Sequence, residues 1–134
     1  MIIDYFKEGL RIPGPALSTS RAFYAKNPNA IQAYLMGYLD GLRRTVDDPA
    51  LAKQTVSKHT QVTDASVLDS DYKVNLQTWN KDLRIDPKSI QNVLDGLGTP
   101  QAQAADVKKF YDNAVADVVT REYAAKLFPN DVKS

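Results

Sequence analysis

KNPNAIQAYLMGYLDGLRRTVDDP, residues 26–49, is the segment that says most about the architecture of this chain. Apolar residues recur three and four positions apart between its two prolines, which is the spacing of one face of an amphipathic helix. Each proline follows a side chain, Asn27 or Asp48, whose oxygen can accept a hydrogen bond from a free N–H at a helix start. The segment therefore predicts a long helix from Pro28 and a second helix from Pro49.

The pattern of a capping residue followed by proline recurs further along the chain. Asp86-Pro87 and Thr99-Pro100 repeat the pairing of an oxygen with a proline, and Thr63 or Asp64 stands before another periodic run. These positions predict three more helix starts. Asn113 is a candidate break in the last run. The predicted core combines the apolar stripes of all the helices: Ile31, Leu35, Tyr38, Leu42, Leu68, Tyr72, Leu76, Trp79, Ile90, Leu94, Val107, Phe110 and Tyr111.

Residues 1–27 have a different pattern, and residues 1–6 and 16–24 are candidate strands. We therefore predict a mainly α fold: a helical array with one or two short N-terminal strands. Residues 1–134 form a single partial domain, with a strand- or hinge-like segment at 1–27 and a helical region at 28–134. A strand edge needs a partner. We expect either a homo-oligomer or a piece of a larger protein.

Composition excludes several classes of function. The net charge is +1, and Lys and Arg are mixed with Asp and Glu, which argues against a nucleic-acid partner or a polybasic membrane patch. The longest apolar run is too short to span a bilayer, and the first residues lack the charged, apolar and small-residue regions of a secretory signal. The chain has no Cys and one His, His59, so Cys-ligated and multi-His metal sites are excluded and no cofactor is expected.

Three groups of residues are candidates for chemistry. Ser18, Thr19 and Arg21 form a hydroxyl-rich stretch ending in a guanidinium, which can bind a carboxylate, sulfonate or phosphate; the alternative is an ordinary strand with an ion-paired Arg. The acids Asp64, Asp69 and Asp71 lack the Gly and the closing Glu of an EF-hand loop and are interpreted as a solvated face. Tyr34, Tyr38 and Trp79 can line a pocket or belong to the core.

The order of these features resembles a known family. Residues 12–30 read IPGPALSTSRAFYAKNPNA, and DDPALA follows at 47–52. This is similar to the C-terminal part of periplasmic substrate-binding proteins of the nitrate/sulfonate/bicarbonate type of ABC transporter, whose superfamily includes binding proteins for thiamine-precursor pyrimidines. In that family a strand ending in an Arg and an aromatic leads to K-N-P and a long helix, and a D-P-x-x-A helix follows.

The resemblance implies a segment of a two-lobed α/β protein (type II) that delivers a small molecule to an ABC permease in the periplasm. The ligand of such proteins sits between the lobes, so we expect this chain alone to bind none tightly. We expect no enzymatic activity. Two alternatives remain open: a free-standing helical interaction or oligomerisation module, and a remnant of a thiamine-pyrimidine-synthesis enzyme, although the His and Cys-rich site of such an enzyme is missing.

Overall fold

The computed structural model describes residues 16–132. Helices account for 72% of these residues, well above the roughly one-third found in an ordinary globular protein, and no strand occurs among them. The mainly α prediction is confirmed. The elements are α1 (Arg21–Lys26), α2 (Pro28–Asp47), α3 (Pro49–Thr60), α4 (Ala65–Thr78), α5 (Pro87–Leu97), α6 (Pro100–Gln103), a 3₁₀ turn (Val107–Lys109), α7 (Ala114–Val119), a π-turn (Thr120–Ala124) and α8 (Ala125–Leu127).

The predicted helix starts are confirmed, and the capping chemistry explains them. The side chains of Asp48, Asp64, Asp86 and Thr99 each accept a hydrogen bond from a first-turn N–H, at distances of 2.8 to 3.2 Å. Asn27 differs, because its amide donates backwards to the carbonyl oxygen of Phe23 at 3.0 Å and caps no N–H of α2. The start of α2 therefore depends on proline at the first helical position.

The predicted strand at residues 16–24 is wrong. Residues 16–20 have no regular structure, and α1 begins at Arg21. The Oγ of Ser20 accepts a hydrogen bond from the N–H of Phe23 at 3.1 Å, so the hydroxyl caps a helix. At residues 16–24 the capping of α1 by Ser20 decides the local structure, and the weak alternation of apolar residues that suggested a strand does not. The other predicted strand, residues 1–6, lies outside the described residues.

The core forms where α2 packs against the last third of the chain. Its buried members are Leu39, Leu42, Val119, Ala124, Phe128 and Val132. Elsewhere α3 packs on α4, and α5 packs on α6 and the 3₁₀ turn. Of the predicted core, Ile31, Leu42 and Leu94 are buried. Tyr38 and Phe110 are 44% and 56% exposed and were wrongly placed in the core. The remaining predicted members are half-buried.

The predicted stripe on α2 overlaps the true contact face only in part, because it includes the buried Ile31 and Leu42 but leaves out Leu39. Leu39 is 0% exposed, whereas Tyr34 is 58% exposed. Both choices satisfy helical spacing, because the apolar face of α2 is wider than the surface that its neighbours cover. Which edge of a broad stripe is buried depends on the position of α7 and the π-turn, and the local sequence of α2 does not contain that information.

The segment after Pro100 contains several short helices and turns instead of one or two long helices. The helix α6 spans four residues, and Asp106 then caps the 3₁₀ turn by accepting a hydrogen bond from the N–H of Lys108 at 3.1 Å. The predicted break at Asn113 is confirmed, since α7 begins at Ala114. The amide of Asn113 bonds both the N–H and the C=O of Ile85, each at 2.9 Å. This side chain joins two connections that are far apart in sequence.

Phe128 fastens the end of the described chain to the core. Phe128 is 2% exposed, and two cations lie near its ring, with Arg43 Cζ at 5.9 Å and Lys81 Nζ at 5.6 Å from the centroid. Arg43 also donates from Nη1 to the carbonyl oxygen of Leu127 at 2.9 Å. Lys81 forms a salt bridge to Asp131 at 2.9 Å. These cation–π contacts, the hydrogen bond and the salt bridge together hold this segment against α2 and against the connection that follows α4.

Candidate functional site

The predicted anion-binding residues are placed by α1 and the stretch before it. Ser18 and Thr19 are exposed and precede the helix. Arg21, in its first turn, donates from Nη2 to the carbonyl oxygen of Lys109 at 3.2 Å. The guanidinium thus caps the end of the 3₁₀ turn. This structural role is close to the alternative of an ion-paired Arg, although the partner of Arg21 is a carbonyl oxygen rather than a carboxylate. None of the three residues lines either of the two cavities described below.

The more enclosed of two candidate cavities is a cleft of about 270 Å³ between the end of α2, α3 and α4. Its lining combines two aromatic rings, three aliphatic side chains and four polar or charged ones. The lining residues are Thr45, Ala52, Lys53, Val56, Leu68, Asp71, Tyr72, Asn75 and Trp79. A mainly apolar cleft with a few polar groups is the usual composition of a small-molecule site.

Two aromatic residues of α4 and its C-terminal cap form one side of this cleft. The Tyr72 and Trp79 rings lie 6.0 Å apart, centroid to centroid, with their planes at 79°. The Tyr72 hydroxyl donates to the carbonyl oxygen of Thr45 at 3.2 Å, which ties α4 to α2. Trp79 follows the last residue of α4, and its backbone N–H bonds the carbonyl oxygen of Asn75 at 2.8 Å. These contacts fix the aromatic pair relative to both helices.

The charges around the cleft come from α3 and α4. Lys53 Nζ lies 2.6 Å from Asp69 Oδ1, and this hydrogen bond and charge hold the pKa of the Asp69 carboxyl below its ordinary value. Asp71 Oδ1 accepts a hydrogen bond from Asn75 Nδ2 at 2.9 Å. No salt bridge joins Asp71 to a cation within the described part of the chain. The lining therefore carries one compensated cation and one uncompensated carboxylate.

The aromatic trio suggested by the sequence divides between two surfaces. Trp79 lines the cleft and also packs against the core cluster, so both interpretations hold for it. Tyr34 and Tyr38 are exposed on α2 and do not line this cleft. The sequence missed Lys53, Thr45 and Asn75, because no local pattern links residues on three different helices. The one available signal was their shared polarity on otherwise apolar faces.

A second cavity lies beside α5 and the 3₁₀ turn. It is a wide, shallow depression of about 590 Å³, whose charged lining residues are Lys88, Asp106 and Lys108. Charges of both signs meet there, and the Asp106 carboxylate is already engaged in capping the 3₁₀ turn. A shallow surface cannot enclose most of a ligand, which binding sites for small molecules usually do.

The remaining candidates take separate structural roles. Asp64 caps α4, and the hydrogen bond from the Ser66 hydroxyl, followed by those from the Ser66 and Val67 N–H groups, lowers the pKa of its carboxyl. His59 is exposed in the last turn of α3. Among residues 16–132 no cluster of His, Asp and Glu is arranged to hold a metal ion. Within the same range no helix combines the length and apolarity needed to cross a membrane.

Comparisons with protein families, curated proteins and solved structures found no match to this chain.

Proposed function

We propose that this chain is the C-terminal part of a solute-binding component of an ABC-type importer. The solute would be a small molecule of the nitrate, sulfonate, bicarbonate or pyrimidine class, and the location would be the periplasm. The observation that carries the proposal is the collinear order of motifs: Ser18 to Arg21, then Lys26-Asn27-Pro28, then Asp48-Pro49. The proposal assigns no catalytic step to this chain.

The bounds of two helices support the proposal. The helix α2 runs for 20 residues directly after Lys26-Asn27-Pro28, and α3 starts at Asp48-Pro49, as the resemblance implies. The Ala of the D-P-x-x-A pattern is Ala52, which is 8% exposed. One feature departs from the family pattern, because Arg21 lies in a helix rather than at the end of a strand.

Exposed apolar side chains also support a role inside a larger assembly. Leu97, Val74 and Phe110 are 60%, 59% and 56% exposed, on three different parts of the fold. Single exposed hydrophobic residues are ordinary, but several large ones around so small a core indicate surfaces that another element can cover. In a two-lobed binding protein, a sheet and a second lobe supply such cover.

The genomic reading frame upstream of the Met1 codon tests the proposal. We expect the frame to continue and to encode two α/β lobes, preceded by an export signal. An in-frame stop codon with no such lobes upstream would contradict the transport proposal. The pyrimidine-synthesis alternative has no residue to support it, since the chain has a single His and no Cys.

The second candidate function is a helical interaction module that assembles as a homo-oligomer. The same exposed apolar side chains favour it, because exchange or pairing of identical elements is an accessible route to covering them. Sedimentation equilibrium of the isolated chain tests this candidate. A concentration-dependent dimer supports it, and a monomer at every concentration excludes it.

A further inference from the structure

We propose that the cleft between α2, α3 and α4 binds a small organic ammonium cation, of the kind that carries a choline-like trimethylammonium group. This goes beyond the proposed transport role and does not rest on it. The cleft is built only from residues 45–79 of the helical region. Three properties lead to this ligand class: size, wall shape and charge.

The size of the cleft restricts its occupant. Its volume of about 270 Å³ lies just below the roughly 300–1,000 Å³ of sites for drug-sized molecules. The cleft is therefore suited to a ligand of a few heavy atoms. Ala52, Val56 and Leu68 give it aliphatic walls, which favour methyl groups over a hydrated ion such as nitrate or sodium.

The aromatic wall favours a compact, rounded group. Because the Tyr72 and Trp79 planes stand at 79°, the rings form a corner rather than a flat stacking surface. A planar heterocycle can stack on only one of two perpendicular rings at a time, whereas a tetrahedral ammonium group can contact both. Aromatic rings attract cations through their quadrupole, and Trp does so most strongly.

The charge of the lining favours a cation over an anion. The ammonium of Lys53 is compensated by Asp69 at 2.6 Å. Asp71 is the other charged residue of the lining; no salt bridge engages it among the described residues, and its Oδ1 accepts a hydrogen bond from the Asn75 amide at 2.9 Å. An anion entering the cleft would meet this carboxylate without a free cation to offset it. A cationic ligand gains both the carboxylate and the rings.

Fluorescence of the single tryptophan provides the test, because Trp79 lines the cleft. We would titrate the full chain with choline and with 3,3-dimethylbutan-1-ol, which has the same shape and no charge, against a sodium chloride blank. We expect a saturable change with choline, and binding of the neutral analogue roughly ten-fold weaker, since both the ion pair and the cation–π attraction are lost.

Matched variants locate the interaction. Asp71→Asn should weaken choline binding roughly five-fold, as expected for loss of one partly screened ion pair. Asp95→Asn, the same change on α5 far from the cleft lining, should leave binding unchanged. Tyr72→Phe keeps the ring and should bind choline, whereas Tyr72→Leu should not. Should Tyr72→Leu fail to fold by circular dichroism, the comparison of Asp71→Asn with Asp95→Asn decides the question.

Several results would overturn the proposal. One is the absence of a saturable change with choline. Another is equal affinity for choline and its neutral analogue, which would mean that charge plays no part. A third is equal weakening in Asp71→Asn and Asp95→Asn, which would indicate a general effect of net charge. Tighter binding of a flat aminopyrimidine than of choline would contradict the argument from wall shape.

Discussion

At the scale of single residues, the side chain of Asn113 makes two hydrogen bonds to the backbone of Ile85. Its amide oxygen accepts from the N–H of Ile85 and its amide nitrogen donates to the C=O of the same residue, so one side chain satisfies both backbone groups. Both bonds are partly buried, so water is a poor replacement for them. Asn113 therefore connects the segment before α5 with the segment before α7. Replacing its side-chain nitrogen by an oxygen, as in Asn113→Asp, tests this connection.

We expect Asn113→Asp to destabilise the fold by about 1–3 kcal/mol, the usual cost of leaving a partly buried polar group without its partner. The carboxylate keeps the acceptor for the Ile85 N–H but loses the donor for the Ile85 carbonyl. Urea denaturation measures the difference. The control is Asn80→Asp, because the Asn80 oxygen accepts from the N–H of Asp82 at 3.0 Å and that bond survives the change. Equal losses in both variants would contradict the role of the donor.

Leu39 offers a second test at this scale. It is 0% exposed at the centre of the core, so Leu39→Ala should lower the free energy of unfolding by about 2–5 kcal/mol. Leu97→Ala is the matched control, since that side chain is 60% exposed and its loss should change stability by about 0.5 kcal/mol or less. Leu76, which the sequence pattern placed in the core, is half-buried and should give an intermediate loss. Similar values for Leu39 and Leu97 would mean that the core lies elsewhere.

At the scale of elements, the start of α4 depends on the ionised carboxylate of Asp64. The folded pKa of this group is lowered, chiefly by the Ser66 hydroxyl, so the carboxylate stabilises the fold fully above its unfolded pKa of about 4. That contribution is lost as the pH falls through the lower, folded pKa. Ser66→Ala should raise the pKa of Asp64 toward its ordinary value, as followed by NMR titration. Ser70→Ala, further along α4, should leave the titration unchanged. An unaltered Asp64 pKa in Ser66→Ala would rule out the hydroxyl as the main cause.

The helix starts could be predicted because their cause is local. Asp48 needs only the N–H of Leu51, three residues away, and the same spacing holds for Thr99 and Ala102. The local signal failed at two positions: Ser20 caps a helix where a strand was predicted, and Asn27 does not cap α2. The candidate cleft could not be predicted, because it requires Thr45 to meet Tyr72 across 27 residues. Contacts of that separation depend on how α2, α3 and α4 pack.

At the scale of the whole molecule, the described residues provide walls but no enclosure for a small anion. Ser18 and Thr19 are exposed, and Arg21 is bonded to the Lys109 carbonyl. We therefore expect isothermal calorimetry of this chain with nitrate, taurine, bicarbonate or an aminopyrimidine to give no saturable heat. Micromolar binding that disappears in Arg21→Ala would contradict this expectation and would make the chain a complete receptor. Arg44→Ala, another exposed arginine, is the control for general charge effects.

The π-turn at Thr120–Ala124 affects how well the fold tolerates the insertion or deletion of a residue. An α-helix turns by about 100° per residue, so an added or deleted residue in an ordinary stretch rotates everything beyond it. A π-turn closes its hydrogen bond one residue later than an α-turn and accommodates the extra residue locally. Phe128 thus keeps facing α2 despite the wider turn. A one-codon deletion in the gene is consequently better tolerated in this short segment than in α2, where it would carry Leu39 or Leu42 out of the core.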